Sequence, residues 1–305
     1  MSPTQDSAAA TAQAQPLLNT SLATRYSLTG RGAWTGRDRG GVHTTYTVDR
    51  RDGYQQVGSS PWTYDAAGAL VQDATTQFRY DALGQLASSS TATVGRAYRR
   101  DALGRIIAET DTKTGAVTRY AYDGLRRTFR RTPDGQVDVT IDGAGLDEHV
   151  VTITASGQRR YLHQDRLGSV QLITNEVGNP LEWIRYTAFG EPTIKNSTGS
   201  YTLPTSAVGN RFGFHDHPQD WAAGLVDMRA RAYRPAFGRF LSLDPMGLAA
   251  GSPNLYALGD GAALTFVDPL GLRKENDSFE ARLDAEFAGA PANAQLAYGL
   301  GACSR

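Results

Sequence analysis

The feature that most constrains this fold is a repeat in which an Asp-x-x-Gly turn follows an alternating stretch rich in Tyr, Arg and Thr. Four segments line up on it: WTYDAAGAL at 62–70, FRYDALGQL at 78–86, YRRDALGRI at 98–106 and YAYDGLRRT at 120–128, where the glycine follows the aspartate directly. Asp and Gly favour tight turns, because Asp bonds nearby amides and Gly accepts a positive φ. Each repeat is therefore predicted to form a strand, a tight turn and a returning strand.

The turn aspartates Asp65, Asp81, Asp101 and Asp123 follow one another in steps of 16, 20 and 22 residues, which is one hairpin per repeat. An isolated hairpin cannot bury its apolar face in water, so neighbouring hairpins are predicted to stack into one continuous antiparallel sheet. The alternative is an ordinary antiparallel domain that favours Asp-Gly turns. The recurrence of Tyr-Asp beside the glycine favours the repeat.

Composition excludes several classes of protein. The chain has 31 basic and 31 acidic side chains, so no net charge draws it to nucleic acid or an anionic membrane. Its one cysteine, Cys303, cannot form a disulfide framework or a cysteine metal site. No apolar run approaches the ~20 residues of a membrane span, and residues 1–26 do not resemble a signal peptide. Nucleotide-binding glycine motifs are absent from the sequence, so no cofactor is expected.

The four segments resemble the YD repeats of the Rhs (rearrangement hotspot) family, and later motifs extend the resemblance. The stretch 161–192, YLHQDRLGSVQLITNEVGNPLEWIRYTAFGEP, is similar to that family's repeat-associated core. The stretch 229–248, RARAYRPAFGRFLSLDPMGL, is similar to its closing pattern, and NLYAL at 254–258 and VDPLGL at 267–272 follow. The resemblance covers residues 46–272, and the ordered set of motifs carries it.

The resemblance implies an all-β fold: stacked antiparallel hairpins forming part of a cocoon-like shell, with a C-terminal plug that contains short helical turns. It implies a disordered segment at 1–25, a YD-repeat sheet at 26–160, the associated core and autocleavage plug at 161–272, and a variable tail at 273–305. In this family the shell encloses a C-terminal toxic effector. The predicted function is therefore an encapsulation module of a toxin-delivery protein.

Two copies of Asp-Pro-x-Gly carry the candidate chemistry. Asp, Pro and Gly at these positions are the preferred composition of a type I turn, which explains the motif without catalysis. The alternative is that the intervening loop folds back and brings the two carboxylates together, so that they share a proton, as in aspartic peptidases. The resemblance implies single-turnover self-cleavage after the second copy, at the bond between Leu272 and Arg273. The motif residues are Asp244, Pro245, Gly247, Asp268, Pro269 and Gly271.

Two features bear on this prediction. Arg239 is a candidate supporting cation that would orient one carboxylate, although arginines often pack on aromatic rings instead. The loop between the copies departs from the family pattern, with an extra residue near Ser252 and Pro253 and with DGAA at 260–263 in place of Asn-Asn-Pro. A displaced loop would hold the aspartates apart and prevent cleavage.

The remaining motifs are weaker. His215 and His217 lie on one face if they are in a strand, and His163 lies elsewhere, so a metal site lacks a third ligand and none is predicted.

In the tail, Phe279, Leu283 and Phe287 recur every four residues and predict a short amphipathic helix. The tail is too short for an enzyme core, so it is a remnant or a truncated effector.

The expected partners follow from the open sheet. An unpaired edge predicts an upstream portion of the shell or self-association. A C-terminal effector and secretion machinery are implied by the resemblance, and no nucleic-acid partner is expected. The expected location is soluble, in the cytoplasm at synthesis, with export or surface display by a specialised secretion system. Two alternatives stay open: a surface module that binds carbohydrate through Tyr and Arg, and an inactive fragment of a rearranged locus.

Overall fold

The computed structural model describes residues 24–272 and 274–276, and in that part the chain is almost entirely antiparallel β-sheet with a few 3-10 turns. The predicted all-β class is confirmed. The predicted helix at Phe279, Leu283 and Phe287 lies outside the described residues, as does most of the segment 1–25; strand β1 includes Thr24 and Arg25.

In the described residues, four sheets contain the strands. The first has five strands in chain order: β1 (Thr24–Leu28), β2 (Trp34–Arg39), β3 (Val42–Val48), β4 (Tyr54–Val57) and β5 (Ser60–Pro61). The second has fifteen strands, also in chain order: β6 (Thr63–Tyr64), β7 (Leu70–Gln72), β8 (Gln77–Tyr80), β9 (Leu86–Ser90), β10 (Gly95–Arg100), β11 (Ile106–Asp111), β12 (Val117–Asp123), β13 (Arg126–Arg131), β14 (Val137–Asp142), β15 (His149–Ile153), β16 (Arg159–Gln164), β17 (Val170–Thr174), β18 (Pro180–Tyr186), β19 (Pro192–Asn196) and β20 (Thr202–Leu203). We call these two sheets the wall.

The remaining strands are short. A third sheet contains β21 (Gln219–Asp220), β22 (Leu225–Met228), β23 (Arg231–Arg234) and β24 (Arg239–Phe240), and a fourth pairs β25 (Phe266–Val267) with β26 (Glu275–Asn276). The 3-10 turns within residues 24–272 are Phe214–Asp216, Pro235–Phe237, Gly247–Ala250 and Gly259–Gly261.

The Asp-x-x-Gly turns form because the aspartate satisfies the turn's own amides. The Asp81 Oδ1 accepts hydrogen bonds from the amides of Leu83 and Gln85, both at 2.9 Å, and the Gly84 amide closes the turn on the Asp81 carbonyl at 3.0 Å. Gly84 has a φ of +75°, where a side chain would be strained. The fourth repeat differs, since Asp123 pairs directly with Arg126 and leaves a two-residue loop.

The tyrosine of the repeat joins one hairpin to the next. The hydroxyl of Tyr80 donates to the carbonyl of Leu70 at 2.8 Å, and Tyr122 does the same to Ile106 at 2.8 Å. Each accepting carbonyl lies at the start of the returning strand in the preceding repeat. The Tyr-Asp pair therefore has two roles: Asp forms the turn, and Tyr bonds it to its neighbour.

The hairpin pattern continues past residue 160 without a break in the sheet. Strands β16 to β20 extend the wall through the stretch that the sequence assigns to the associated core. The proposed division at 160 and 161 therefore marks a change of motif within one sheet. The chain leaves the wall only after Leu203.

Residues 206–272 fold back over one face of the wall and bury it. One apolar cluster joins Trp34 and Leu86 of the wall to Tyr233 and Leu258 of the returning segment, and a second joins Ile173 to the segment's Phe212. A sheet needs such a cover because one of its faces is apolar. The cover carries both Asp-Pro turns, so it positions the candidate site.

Candidate functional site

Both Asp-Pro-x-Gly segments form closed turns. The Gly247 amide donates to the Asp244 carbonyl at 2.9 Å, and the Gly271 amide donates to the Asp268 carbonyl at 3.3 Å. Met246, the third residue of the first turn, has φ −76° and ψ −11°, as expected for a type I turn. The turn chemistry of the sequence thus accounts for the local backbone at both aspartates.

The two turns also bring their carboxylates to one cation. The Nη2 atom of Arg231, on β23, lies 2.8 Å from the Asp244 Oδ2 and 3.2 Å from the Asp268 Oδ2. The two oxygens are thus no farther apart than the sum of these distances. All three side chains are buried, with exposed fractions of 3 to 5%. We call this group the Asp-Arg-Asp cluster.

Arg231 also bonds to the main chain on both sides of the cluster. Its Nε donates to the Gly271 carbonyl at 2.5 Å and its Nη1 donates to the Leu255 carbonyl at 3.0 Å. The Phe240 ring lies 3.6 Å from the guanidinium carbon. Because the guanidinium fork is rigid, these contacts fix the two turns relative to each other.

Arg239, the cation predicted from the sequence, lies elsewhere. Its guanidinium carbon is 3.8 Å from the centre of the Tyr54 ring and 4.5 Å from that of Tyr256, and its Nη2 donates to the Asp52 carbonyl. It packs on aromatic rings, which is the alternative expected for an arginine in this motif. Sequence reasoning missed Arg231, although the same motif contains it.

The extra residue of the inter-aspartate loop does not hold the aspartates apart. Pro253 is exposed, while Asn254 next to it is buried and accepts the Tyr256 amide at 3.0 Å. The Asp244 amide donates to the Leu255 carbonyl at 3.0 Å. The loop therefore accommodates its extra length at the surface and returns to the site.

Burial and nearby charges set the protonation of the cluster. Burial raises the pKa of Asp244 from 3.8 to about 6; the Arg231 charge and a hydrogen bond from Met246 oppose this rise, and the charge of Asp268 adds to it. Burial also lowers the pKa of Arg231, against the opposing charges of Asp268 and Asp244. Asp244 can therefore hold a proton not far below neutral pH, whereas an exposed aspartate would be ionised.

The second turn places Asp268 beside the predicted cleavage point. The buried Leu272 donates its amide to the Asp268 Oδ1 at 2.9 Å. Arg273, on the other side of the predicted bond, lies outside the described residues. Asp268 therefore contacts the amide of the residue whose carbonyl carbon would be attacked.

Gly271 lies where only glycine fits. Its φ is +67°, and a Cβ atom there would lie 2.1 Å from the Met228 carbonyl oxygen. The turn is therefore pressed against the end of β22. Gly247 of the first turn also has a positive φ, but nothing lies within 4 Å of its Cβ position.

The histidines lie apart from this cluster. His215 and His217 are buried in the turn after residue 213, and the exposed His163 lies 2.9 Å from the Thr174 hydroxyl. Within residues 24–272, no three His, Cys, Asp or Glu side chains are grouped so that they could hold a metal ion. In the same residues, no helix is long and apolar enough to cross a membrane.

A family model, the Teneurin YD-shell, matches residues 23–249 of this chain. The match includes the first Asp-Pro turn and ends before the second.

Among curated proteins, the chain is 30% identical over 179 residues to the tRNA3(Ser)-specific nuclease WapA of Bacillus spizizenii, covering 57% of this chain and 7% of that protein. It is 28% identical over 237 residues to the double-stranded DNA deaminase toxin A of Burkholderia cenocepacia, covering 69% of this chain and 15% of that protein. The chain thus spans a small part of these relatives.

Among solved structures, the Tc holotoxin pore of Photorhabdus luminescens superimposes with a TM-score of 0.67 at 18% identity, over 83% of this chain and 13% of that one. This likeness concerns the fold. The predicted resemblance to the Rhs and YD-repeat family is confirmed.

Proposed function

The chain belongs to the Teneurin YD-shell family, and on that premise we propose that it is a portion of the wall of a toxin-delivery shell that cuts itself once, after Leu272. The wall supplies the container and the cover supplies the cutting site. The observation that carries the cutting role is the meeting of Asp244 and Asp268 on one nitrogen of Arg231.

The container role is supported by the relatives and by the sheet. Two of the relatives are named as a tRNA nuclease and a DNA deaminase toxin, and we propose that this chain likewise belongs to a protein that carries an effector and is exported. Among the described strands, β1 and β20 end their sheets, and a strand at the end of a sheet can pair with a further strand along its outer edge. We propose that an upstream portion of wall, or a second copy, pairs there.

Size-exclusion chromatography with light scattering tests this pairing. The chain alone should associate increasingly as its concentration rises. A monomer across the whole concentration range would contradict pairing at the sheet ends.

The chemistry that we propose is hydrolysis of one peptide bond by paired carboxylates. Asp268 removes a proton from a water molecule, whose oxygen adds to the Leu272 carbonyl carbon. Asp244, whose pKa burial raises to about 6, acts in its protonated form and donates a proton to the departing amide nitrogen of Arg273. The products are a carboxyl group on Leu272 and an amino group on Arg273, and no external cofactor is consumed.

Arg231 has an electrostatic role in this scheme. Without it, burial and the mutual repulsion of the two carboxylates would both disfavour the ionised form, so a carboxylate that can act as a base would form less readily. Its charge keeps one of them ionised, and its bonds to Gly271 and Leu255 hold both turns in place.

The intact mass of the purified full-length chain tests the proposal. We expect two species, residues 1–272 and 273–305, and we expect Asp244→Asn and Asp268→Asn to leave one uncut chain. Asp81→Asn is the matched control, because Asp81 has the same turn-forming role in an exposed turn of the wall. An uncut parent chain, or efficient cutting in either site variant, would overturn the cutting role.

The carbohydrate alternative finds less support in the tyrosines. Tyr80, Tyr122 and Tyr186 are part-buried and donate their hydroxyls to carbonyls within the wall. Their use in joining hairpins explains the motif without a glycan.

A further inference from the structure

A second arginine connects the wall to the turn that carries Asp268. Arg229, in the two-residue loop between β22 and β23, places Nη2 2.6 Å from the Asp147 Oδ1 and Nη1 3.0 Å from its Oδ2. Asp147 lies in the loop between β14 and β15 of the wall. Both side chains are largely buried, with exposed fractions of 12% and 8%. The two-pronged ion pair is therefore specific in geometry and shielded from solvent.

Arg229 also bonds to the second Asp-Pro turn. Its Nη1 donates to the Pro269 carbonyl, and the Ala230 amide donates to the Leu270 carbonyl at 3.1 Å. The Arg231 side chain bonds to the next carbonyl, that of Gly271. Three consecutive carbonyls of the turn therefore accept hydrogen bonds from residues 229–231. One of these donors is oriented by a carboxylate of the wall.

The backbone at Arg229 is independent evidence for a specific role. Met228 pairs with Arg231 across a two-residue loop, and Arg229, its first residue, has a φ of +57°. Glycine is preferred at that position when φ is positive, because a side chain is strained there. The contacts that the Arg229 side chain makes with Asp147 and Pro269 explain why an arginine occupies this position despite the strain.

Arg229 is the main cation that balances Asp147. His217 has its Nδ1 3.9 Å from the Asp147 Oδ2, but burial lowers the pKa of His217 to about 4, so it is neutral near neutral pH. The charge of Arg229 is the largest influence lowering the pKa of Asp147, against its burial. Asp227, whose charge also acts on Arg229, is itself paired with Arg127 at 3.2 Å.

We propose that Arg229 is a positioning residue for cleavage and that Asp147 makes this positioning depend on the wall. The Asp268 turn reaches its cutting geometry only when the loop between β14 and β15 has docked against Arg229. Cleavage is thereby coupled to a completed wall. This inference rests on the proposed self-cleavage after Leu272.

The most informative variant is Arg229→Gly, because glycine suits the positive φ and should preserve the fold while removing the guanidinium. We expect its cleavage, followed by intact mass over time, to be about ten-fold slower or more. Asp147→Asn should slow cleavage in the same direction, and Arg229→Lys should restore part of the rate because it keeps a charged donor. Arg51→Gly, at an exposed arginine in a turn of the wall, is the matched control. Cleavage of Arg229→Gly at the parent rate would overturn the inference.

A second measurement separates this inference from the cutting role. In chains carrying Asp244→Asn, hydrogen exchange of the Gly271 and Leu272 amides reports the order of the turn directly. Adding Arg229→Gly should speed that exchange about ten-fold or more, while adding Arg51→Gly should leave it unchanged. If the parent chain is never cut, the proposed function fails, and exchange alone decides the positioning role. Equal exchange in both chains would overturn that role even if the parent chain cuts itself.

Discussion

The elevated pKa of Asp244 makes a quantitative prediction about stability. A rise from 3.8 to about 6 corresponds to about 3 kcal/mol, since each pKa unit is worth about 1.4 kcal/mol. The folded chain binds this proton more tightly than the unfolded chain does. The favourable contribution is therefore complete below the unfolded pKa, near 4, and is lost as the pH rises through about 6.

Urea unfolding followed by tryptophan fluorescence measures this effect. Both proteins carry Asp268→Asn, so that neither cuts itself, and one also carries Asp244→Asn. Asp268 makes the smallest of the four contributions to the Asp244 shift, so most of the shift should remain. Relative to the double variant, the protein that keeps Asp244 should lose about 2 to 3 kcal/mol of unfolding free energy between about pH 4 and about pH 7.

Comparing two chains that differ at one carboxyl removes the contributions of all other titrating groups. A relative stability that stays constant over this range would refute the elevated pKa. A relative stability that rises with pH would show that Arg231 outweighs burial, and Asp244 would then be unsuited to donate a proton.

Three further predictions concern the site and the wall. The cleavage rate should fall about ten-fold per pH unit above about 6, because Asp244 must be protonated to act as the acid; a rate that increases with pH would contradict its role. Gly271→Ala should abolish cleavage, because the added Cβ would clash with the backbone. Gly247→Ala, at a residue with the same sign of φ but open space around it, should lower the unfolding free energy by only about 1 kcal/mol in urea unfolding. Equal effects of the two substitutions would contradict the close approach at Gly271. Tyr80→Phe should lower the unfolding free energy by about 1 kcal/mol through the lost bond between hairpins, while Tyr201→Phe, at a 72% exposed residue, should have almost no effect; a neutral Tyr80→Phe would contradict the linking role.

The hairpins could be predicted from the sequence because their determinants are local. Asp81 bonds amides two and four residues away, and Gly84 takes its positive φ within the same turn. The linking bond of Tyr80 was not predictable, because its partner belongs to another hairpin and depends on how the hairpins stack. The continuation of the sheet through β16 to β20 was hidden for a different reason: turns there begin with Thr or Asn as well as Asp.

The candidate site was predictable only in part. The paired Asp-Pro turns identify Asp244 and Asp268, but the supporting cation predicted from the sequence was Arg239, although the same motif also contains Arg231. Which of them meets the carboxylates depends on where each side chain lies in the folded cover. The contact between Asp147 and Arg229, which are 82 residues apart, leaves no local pattern in the sequence. The positive φ of Arg229 marks it only once the fold is known.

The most direct test of the central claim is to measure the intact masses of the species present after the chain is purified and kept near pH 6. If the Asp-Arg-Asp cluster cuts the bond after Leu272, the parent chain should yield a fragment ending at Leu272 and a peptide beginning at Arg273. Both Asp244→Asn and Asp268→Asn should yield only the full-length mass. A single full-length mass from the parent chain, or a cut at any other bond, would contradict the claim.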